Sequence, residues 1–120
     1  MPWSVAFTNE FRAWWDTLTE RQQEDVAASV QLLTEYDPQL RFPYSSGVEG
    51  STHTHMRELR GQSGGRPLRI FYAFDPRRTA ILLVGGDKTG DERFYETFIP
   101  VADRLYDEYL DDLRREGLIT

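Results

Sequence analysis

Between residues 51 and 90, the basic side chains Arg57, Arg60, Arg66, Arg69, Arg77, Arg78 and Lys88 outnumber the acidic Glu58, Asp75 and Asp87, leaving +4; the rest then carries −10 to reach the net of −6. Guanidinium groups are planar, permanently charged forked donors suited to phosphate oxygens, and a surface that focuses positive potential can hold an anion even on an acidic protein. Arg57, Arg60 and Arg69 lie on neighbouring strand-like segments, where they could converge on one phosphate through paired hydrogen bonds. Strict alternation sets Arg57 and Arg60 on opposite pleats, so both join only if the strand ends or bulges between them. His53 and His55, two apart, share a side if the strand reaches them, and an imidazole with a pKa of about 6.5 can accept or donate a proton at neutral pH. Lys88, the only lysine, lies in a glycine-flanked loop whose backbone could approach a phosphate closely. Tyr95 offers a phenol. Each also has a plainer reading: solvated strand arginines, polar edge histidines, a surface lysine, a packed tyrosine.

Other chemistries fit the residues less well. A metal held by His53 and His55 would need a carboxylate, and Glu58 falls on the opposite pleat. There is no cysteine, hence no thiolate nucleophile or disulfide, and neither a G-x-S-x-G elbow nor a phosphate loop occurs. Ser45, Ser46 and Ser51 lie near the histidines without an orienting carboxylate at an evident spacing.

The elements that must position these groups follow from local signals. Trp3, Val5 and Phe7 alternate with Ser4 and Ala6 as a short first strand. Thr8 or Asn9 can cap a helix carrying Phe11, Trp14, Trp15 and Leu18. Thr19 and Gln22 form a capping box that opens a second helix through Val26, Val30, Leu32 and Leu33, stopping near Tyr36 before Asp37-Pro38. This helical hairpin needs a sheet to cover. Residues 40–52 read as a loop broken by Pro43, Gly47 and Gly50.

Three strands in an antiparallel meander are expected next, the first running from about His53. A glycine turn at 61–65 joins the first two, and Asp75-Pro76-Arg77-Arg78 forms a type I turn before the third, which gives way to the loop G-G-D-K-T. Leu68, Ile70, Tyr72 and Phe74 share the face suited to the hairpin, leaving Arg69, Phe71 and Ala73 on an outer, partly open surface. A short helix begins near Asp91 and breaks near Pro100, which starts a terminal helix with a stripe of Val101, Leu105, Tyr109 and Leu113, ended by Gly117. Its acidic face, Asp103, Asp107, Glu108, Asp111, Asp112 and Glu116, reads as solvated.

At 120 residues the chain is one α+β domain with a modest core. No apolar run approaches the roughly 20 residues of a membrane span, and the start M-P-W-S-V-A-F does not read as a signal peptide, so a soluble cytoplasmic protein is expected. An acidic balance argues against a general nucleic-acid coat protein and leaves room for a restricted anion site. Thirteen of the fourteen basic residues are arginine, a bias that a GC-rich genome would also produce.

The element order is similar to that of the RelE/HigB-like toxins of bacterial type II toxin-antitoxin pairs. The strings M-R-E-L-R at 56–60, G-R-P-L-R-I-F-Y-A-F-D-P-R-R at 65–78, G-G-D-K-T-G at 85–90, and F-Y followed by I-P-V-A-D-R-L-Y-D-E-Y-L resemble the phage-derived HigB branch, actinobacterial type. The likeness covers about residues 40–110 in detail and the first helices in outline. It implies a compact α+β toxin that enters the ribosomal A site and cleaves messenger RNA with no metal or other cofactor, held inactive by a HigA-like antitoxin with a helix-turn-helix domain. By the same likeness Arg57, Arg60, Arg69 and Lys88 fall where relatives place basic residues on the concave face of the sheet, and Tyr95 is carried over as a weaker match. Most such toxins are basic, whereas this chain is acidic.

Metal-free RNA cleavage needs a base for the 2′-hydroxyl proton, positive charge for the crowded phosphorane, and an acid for the leaving 5′-oxygen. The arginines suit the second need, and His53 and His55 are candidates for proton transfer. Two other functions fit the same fold: a non-enzymatic ParE-like toxin that blocks a target such as DNA gyrase, or a diverged toxin subunit acting only in autoregulation.

Overall fold

The computed structural model describes residues 3–120. In chain order these form β1 (Ser4–Phe7), α1 (Asn9–Asp16), α2 (Glu20–Tyr36), a 3-10 turn (Asp37–Gln39), β2 (Ser45–Gly47), β3 (Arg57–Ser63), β4 (Arg66–Phe74), β5 (Thr79–Asp87) and α3 (Phe94–Arg115). The sheet order is β1-β5-β4-β3-β2, with β1 parallel to β5 and the other pairs antiparallel. This is the expected α+β architecture, with two helical layers enclosing the sheet. Among the described residues, no helix is long and apolar enough to cross a membrane.

The hairpin forms where its local signals place it. Thr8 caps α1 by accepting the Phe11 N–H at 3.0 Å. Thr19 and Gln22 satisfy one another's backbone N–H groups at 2.9 and 3.1 Å, which opens α2. Phe11, Trp14, Trp15, Val26, Val30 and Leu33 from the two helices then share one core with Leu59, Leu68, Ile70, Tyr72 and Leu82 of the sheet. That contact is how the alternation of β4 predicts it.

The opposite face differs from expectation. Phe71 and Ala73 are buried, not open, because α3 lies across them and completes a second core with Ile81, Leu83, Phe94, Ala102 and Leu105. The stripe on α3 needs a sheet to cover, and the hairpin has already taken the first face. Full burial of a side chain the size of Phe71 is worth roughly 1.5–3 kcal/mol, enough to decide where the helix goes.

Four local readings are corrected by the structure. Pro100 sits inside α3 without breaking it. It removes one backbone donor, while Phe94 and Ile99 before it and Ala102 and Leu105 after it anchor both flanks on the same core. Gly85 and Gly86 belong to β5 and not to a loop. A side chain there has no room, since a Cβ on Gly85 would stand 2.3 Å from the Trp14 ring and one on Gly86 would stand 2.7 Å from Phe98. β3 begins at Arg57, so it does not reach His53 or His55, and the Met56 N–H instead closes a turn on the His53 carbonyl at 3.1 Å. Finally, β2 occupies part of the expected 40–52 loop, its Ser45 hydroxyl 2.6 Å from that of Tyr72.

The β4–β5 turn and the end of α3 follow the sequence, whereas the expected 61–65 turn is confined to Gly64 and Gly65 because Gly61 to Ser63 pair with β4. The Arg78 N–H bonds the Asp75 carbonyl at 3.2 Å across the β4–β5 turn. Gly117, at φ 73, terminates α3, with the Leu118 N–H returning to the Leu113 carbonyl at 2.9 Å. One member of the acidic face is not solvated: Asp103 is buried and accepts bonds from the Ser51 hydroxyl and the Thr52 N–H, tying the loop before β3 to α3.

Candidate functional site

The basic residues that cluster in the sequence are dispersed in space. Arg66 pairs with Asp87, Arg77 reaches Asp75 and Tyr109, and Arg78 lies over the Trp3 ring. Arg57 falls on the hairpin face, where its Nε donates to Ser45 Oγ at 3.0 Å and its Nη2 to the Leu40 carbonyl at 3.4 Å. The β3–β4 register is continuous through these positions, so alternation holds and Arg57 cannot share a pleat with Arg60 or Arg69. The two histidines also part. His53 Nε2 lies 2.8 Å from Asp107 Oδ1, with its ring edge-on to Tyr106 of α3. The exposed His55 borders a separate depression with Pro38, Gly47, Arg57 and Phe74.

What the fold does bring together lies on the α3 side of the sheet, at the β2–β3–β4 end. Arg60 and Arg69 are direct partners across the strands, an arrangement of like charges that is unfavourable unless something lies between them. Glu58 does. Only 4% exposed, its carboxylate is 3.6 Å from Arg69 Nε and 3.8 Å from Arg60 Nη1. Both separations exceed hydrogen-bond length, because the same carboxylate accepts from the Tyr95 hydroxyl at 2.8 Å and from Ser46 Oγ at 2.9 Å. The hydroxyls satisfy Glu58 while the guanidinium donors retain capacity.

Arg69 shows this most clearly. Its Nη1 donates to the carbonyls of Leu68 and Gly61 at 3.1 and 3.4 Å, yet its buried Nε finds no hydrogen-bond partner among the described residues. A depression of about 260 Å3 opens over it, lined by Pro43, Tyr44, Arg60, Gln62 and Arg69. On the α3 side, Lys88 Nζ lies 5.1 Å from the centre of the Tyr95 ring. Burial, reinforced by the bond to Glu58, pushes the Tyr95 phenol above its usual range.

Arg60, Arg69, Lys88 and Tyr95 thus meet within one neighbourhood, while Arg57, His53 and His55 stand apart from it. Reading the sequence for a site missed Glu58, considered there only as a metal ligand. The signal was present: it is the single acidic residue between positions 50 and 75, embedded among arginines on a predicted strand. Tyr44 and Ser46 carried no such signal, since β2 itself was not predicted.

The family model described as "Phage derived protein Gp49-like" matches residues 13–107. Two Mycobacterium tuberculosis proteins that carry the toxin names HigB2 and HigB3 are 41% and 37% identical over 108 residues, covering 88% and 89% of this chain. The chain spans 54% of the length of the first and 93% of the second. An arginine-to-alanine double mutant of E. coli RelE in the free state superposes with a TM-score of 0.59 at 14% identity, covering 82% of this chain and 96% of that one. RelE in the archaeal RelE-RelB complex from Pyrococcus horikoshii gives 0.54 at 16% identity, with coverages of 75% and 99%. At such identities the structural likeness is one of fold. The family match and the two mycobacterial relatives carry the assignment further: the chain belongs to the Gp49-like family of RelE/HigB-like toxins.

Proposed function

We propose that this chain is the toxin of a toxin-antitoxin pair, acting in the cytoplasm as a metal-free endoribonuclease on messenger RNA in the ribosome. The observation that carries the reading is the buried Arg69 Nε without an acceptor, directly across from Arg60 under an open hollow. The Glu58 carboxylate, 3.6 Å away, gives Arg69 Nε charge contact without a hydrogen bond, and a phosphodiester oxygen is the further acceptor these two guanidinium groups suit.

In the proposed reaction the 2′-oxygen attacks the adjacent phosphorus and the bond to the 5′-oxygen breaks, leaving a 2′,3′-cyclic phosphate and a 5′-hydroxyl. Arg60 and Arg69 hold the charge that accumulates on phosphorus, with Lys88 adding to it from the α3 side. Glu58 accepts the 2′-hydroxyl proton. Tyr95, a phenol whose ordinary range already keeps it protonated at neutral pH, supplies a proton to the 5′-oxygen. Arg57, His53 and His55 have no part in this scheme. A helix-turn-helix antitoxin of the HigA type is the proposed partner, and the solved complex of RelE with RelB supports a partner of the antitoxin kind.

Primer extension on messenger RNA in a translating extract tests the scheme. Discrete codon-phased breaks are expected from the native chain and not from Arg69→Lys, which keeps the charge and loses the fork. A second reading is favoured by the net charge of −6, which opposes approach to an RNA-rich surface. Under it, a ParE-like block of DNA gyrase or a binding-only role in autoregulation leaves the message intact, and arrested replication in cells marks the first of these.

A further inference from the structure

Phe42 and Tyr44 are 71% and 52% exposed. Single exposed aromatics are ordinary on protein surfaces, and Phe7 and Tyr36, exposed elsewhere, ask for no explanation. This pair differs in its neighbours. Tyr44 lines the hollow above Arg69, and the Arg60 guanidinium lies 5.1 Å from the centre of the Phe42 ring. Two aromatic rings are thus held beside two guanidinium groups that share a hollow.

The backbone beneath them is pinned. The Tyr44 and Ser45 N–H groups both donate to the Arg41 carbonyl, at 2.9 and 3.1 Å, and the Tyr44 carbonyl accepts the Arg60 N–H at 2.8 Å. The buried Ser45 hydroxyl meets that of Tyr72 at 2.6 Å. Rings presented on a fixed segment bind with little further loss of conformational freedom.

We infer that Phe42 and Tyr44 form a stacking platform for the bases of single-stranded RNA whose phosphate enters the hollow at Arg60 and Arg69. This rests on the ribonuclease reading and adds a subsite to it. Single-stranded nucleic acid alternates a flat apolar base with an anion, and the surface alternates rings with guanidinium groups in the same way. An apolar protein segment on the same rings would bury Arg60 without bringing an anion to balance its charge. Because every base has a π face, the platform contributes affinity and not sequence preference.

The test uses the full chain and a non-cleavable 2′-O-methyl oligonucleotide carrying 2-aminopurine, alongside an abasic oligomer of the same length. Native protein is expected to bind the first more tightly and to quench the 2-aminopurine emission. Phe42→Ala and Tyr44→Ala each lose about tenfold in affinity for it, keep their affinity for the abasic oligomer, and keep the salt dependence. Phe42→Trp retains the quench, which separates a lost ring from a lost fold.

Equal losses on both oligomers, or no quench from the native chain, overturn the platform. So does a result in which the alanine variants bind oligonucleotide normally and instead release a copurifying antitoxin. If native protein cuts message in the translating extract while the quench is absent, the function stands and the platform falls. If the quench is present and no cutting occurs, the platform stands and the ribonuclease reading fails.

Discussion

The two faces of the sheet are finished differently. On the hairpin face α1 and α2 close over Leu59, Leu68, Ile70, Tyr72 and Leu82, and Arg57 on that face donates from Nε to Ser45 and from Nη2 to the Leu40 carbonyl. On the other face α3 covers Phe71, Ala73, Ile81 and Leu83, while Glu58, Arg60 and Arg69 lie toward the sheet's β2 end, beside an open hollow. Arg57 and Arg69 are the same residue type in adjacent strands, yet Arg57 Nε has a hydrogen-bond acceptor and Arg69 Nε has none among the described residues. Face, not composition, separates the surroundings of the two guanidinium groups.

Substituting the two arginines tests that contrast, and carries the largest expected effect. Arg69→Ala should lower message cleavage about 100- to 1000-fold, the usual loss when one donor to a developing anion is removed. Arg57→Ala should leave cleavage within about tenfold and lower stability by about 1.5–3 kcal/mol, the range for a charged hydrogen bond. Comparable losses of cleavage from both would break the comparison.

Next in size is Gly85→Ala, which drives a methyl group into the Trp14 ring and should cost about 3 kcal/mol in urea unfolding, in the range of overpacked cores. Combining it with Trp14→Leu should recover part of the loss. Thr19→Ala, at the entrance to α2, should cost about 1 kcal/mol without touching cleavage, which sharpens the view of the hairpin as scaffold.

The smallest effect concerns the closed part of the α3 face. Burial, together with the bond to Asp75, pushes the Tyr109 phenol up to about 12 from 10.0. A folded-state pKa raised above the unfolded value contributes stability that is present below pH 10 and is lost as pH rises toward 12. Thermal unfolding of Tyr109→Phe should therefore fall less steeply across that window than the native chain. An identical alkaline slope would show that the phenol is not held by the fold.

Local signals were legible in the sequence because they act locally. The Thr8 cap, the Thr19–Gln22 box, the Asp75 turn and the Gly117 stop each depend on a few consecutive residues, and each forms. What could not be read was set by tertiary contact. Gly85 and Gly86 carry the composition of a turn, and only the rings pressed on them make them strand. Pro100 has the form of a helix start and is overruled by packing on both sides. Alternation correctly placed Arg57 apart from Arg60, but no local pattern says which face a distant helix will cover. For that reason the hollow was half visible: Arg60 and Arg69 could be named, whereas Glu58 and the two rings beside β2 could not.

The adjoining glycines of β5 place indole against one side of the backbone and benzyl groups against the other. With no side chain on either residue, one peptide layer stands there between Trp14 of the hairpin and Phe98 of the helix that carries Tyr95. Bulk gained by a side chain above that seam has to be surrendered below it or taken up by a shift of the strand, and the strand continues directly into Lys88. Evolutionary drift in the scaffold would therefore register in the spacing between Lys88 and Tyr95, so paired changes at Trp14 and Phe98 are the covariation to look for among relatives.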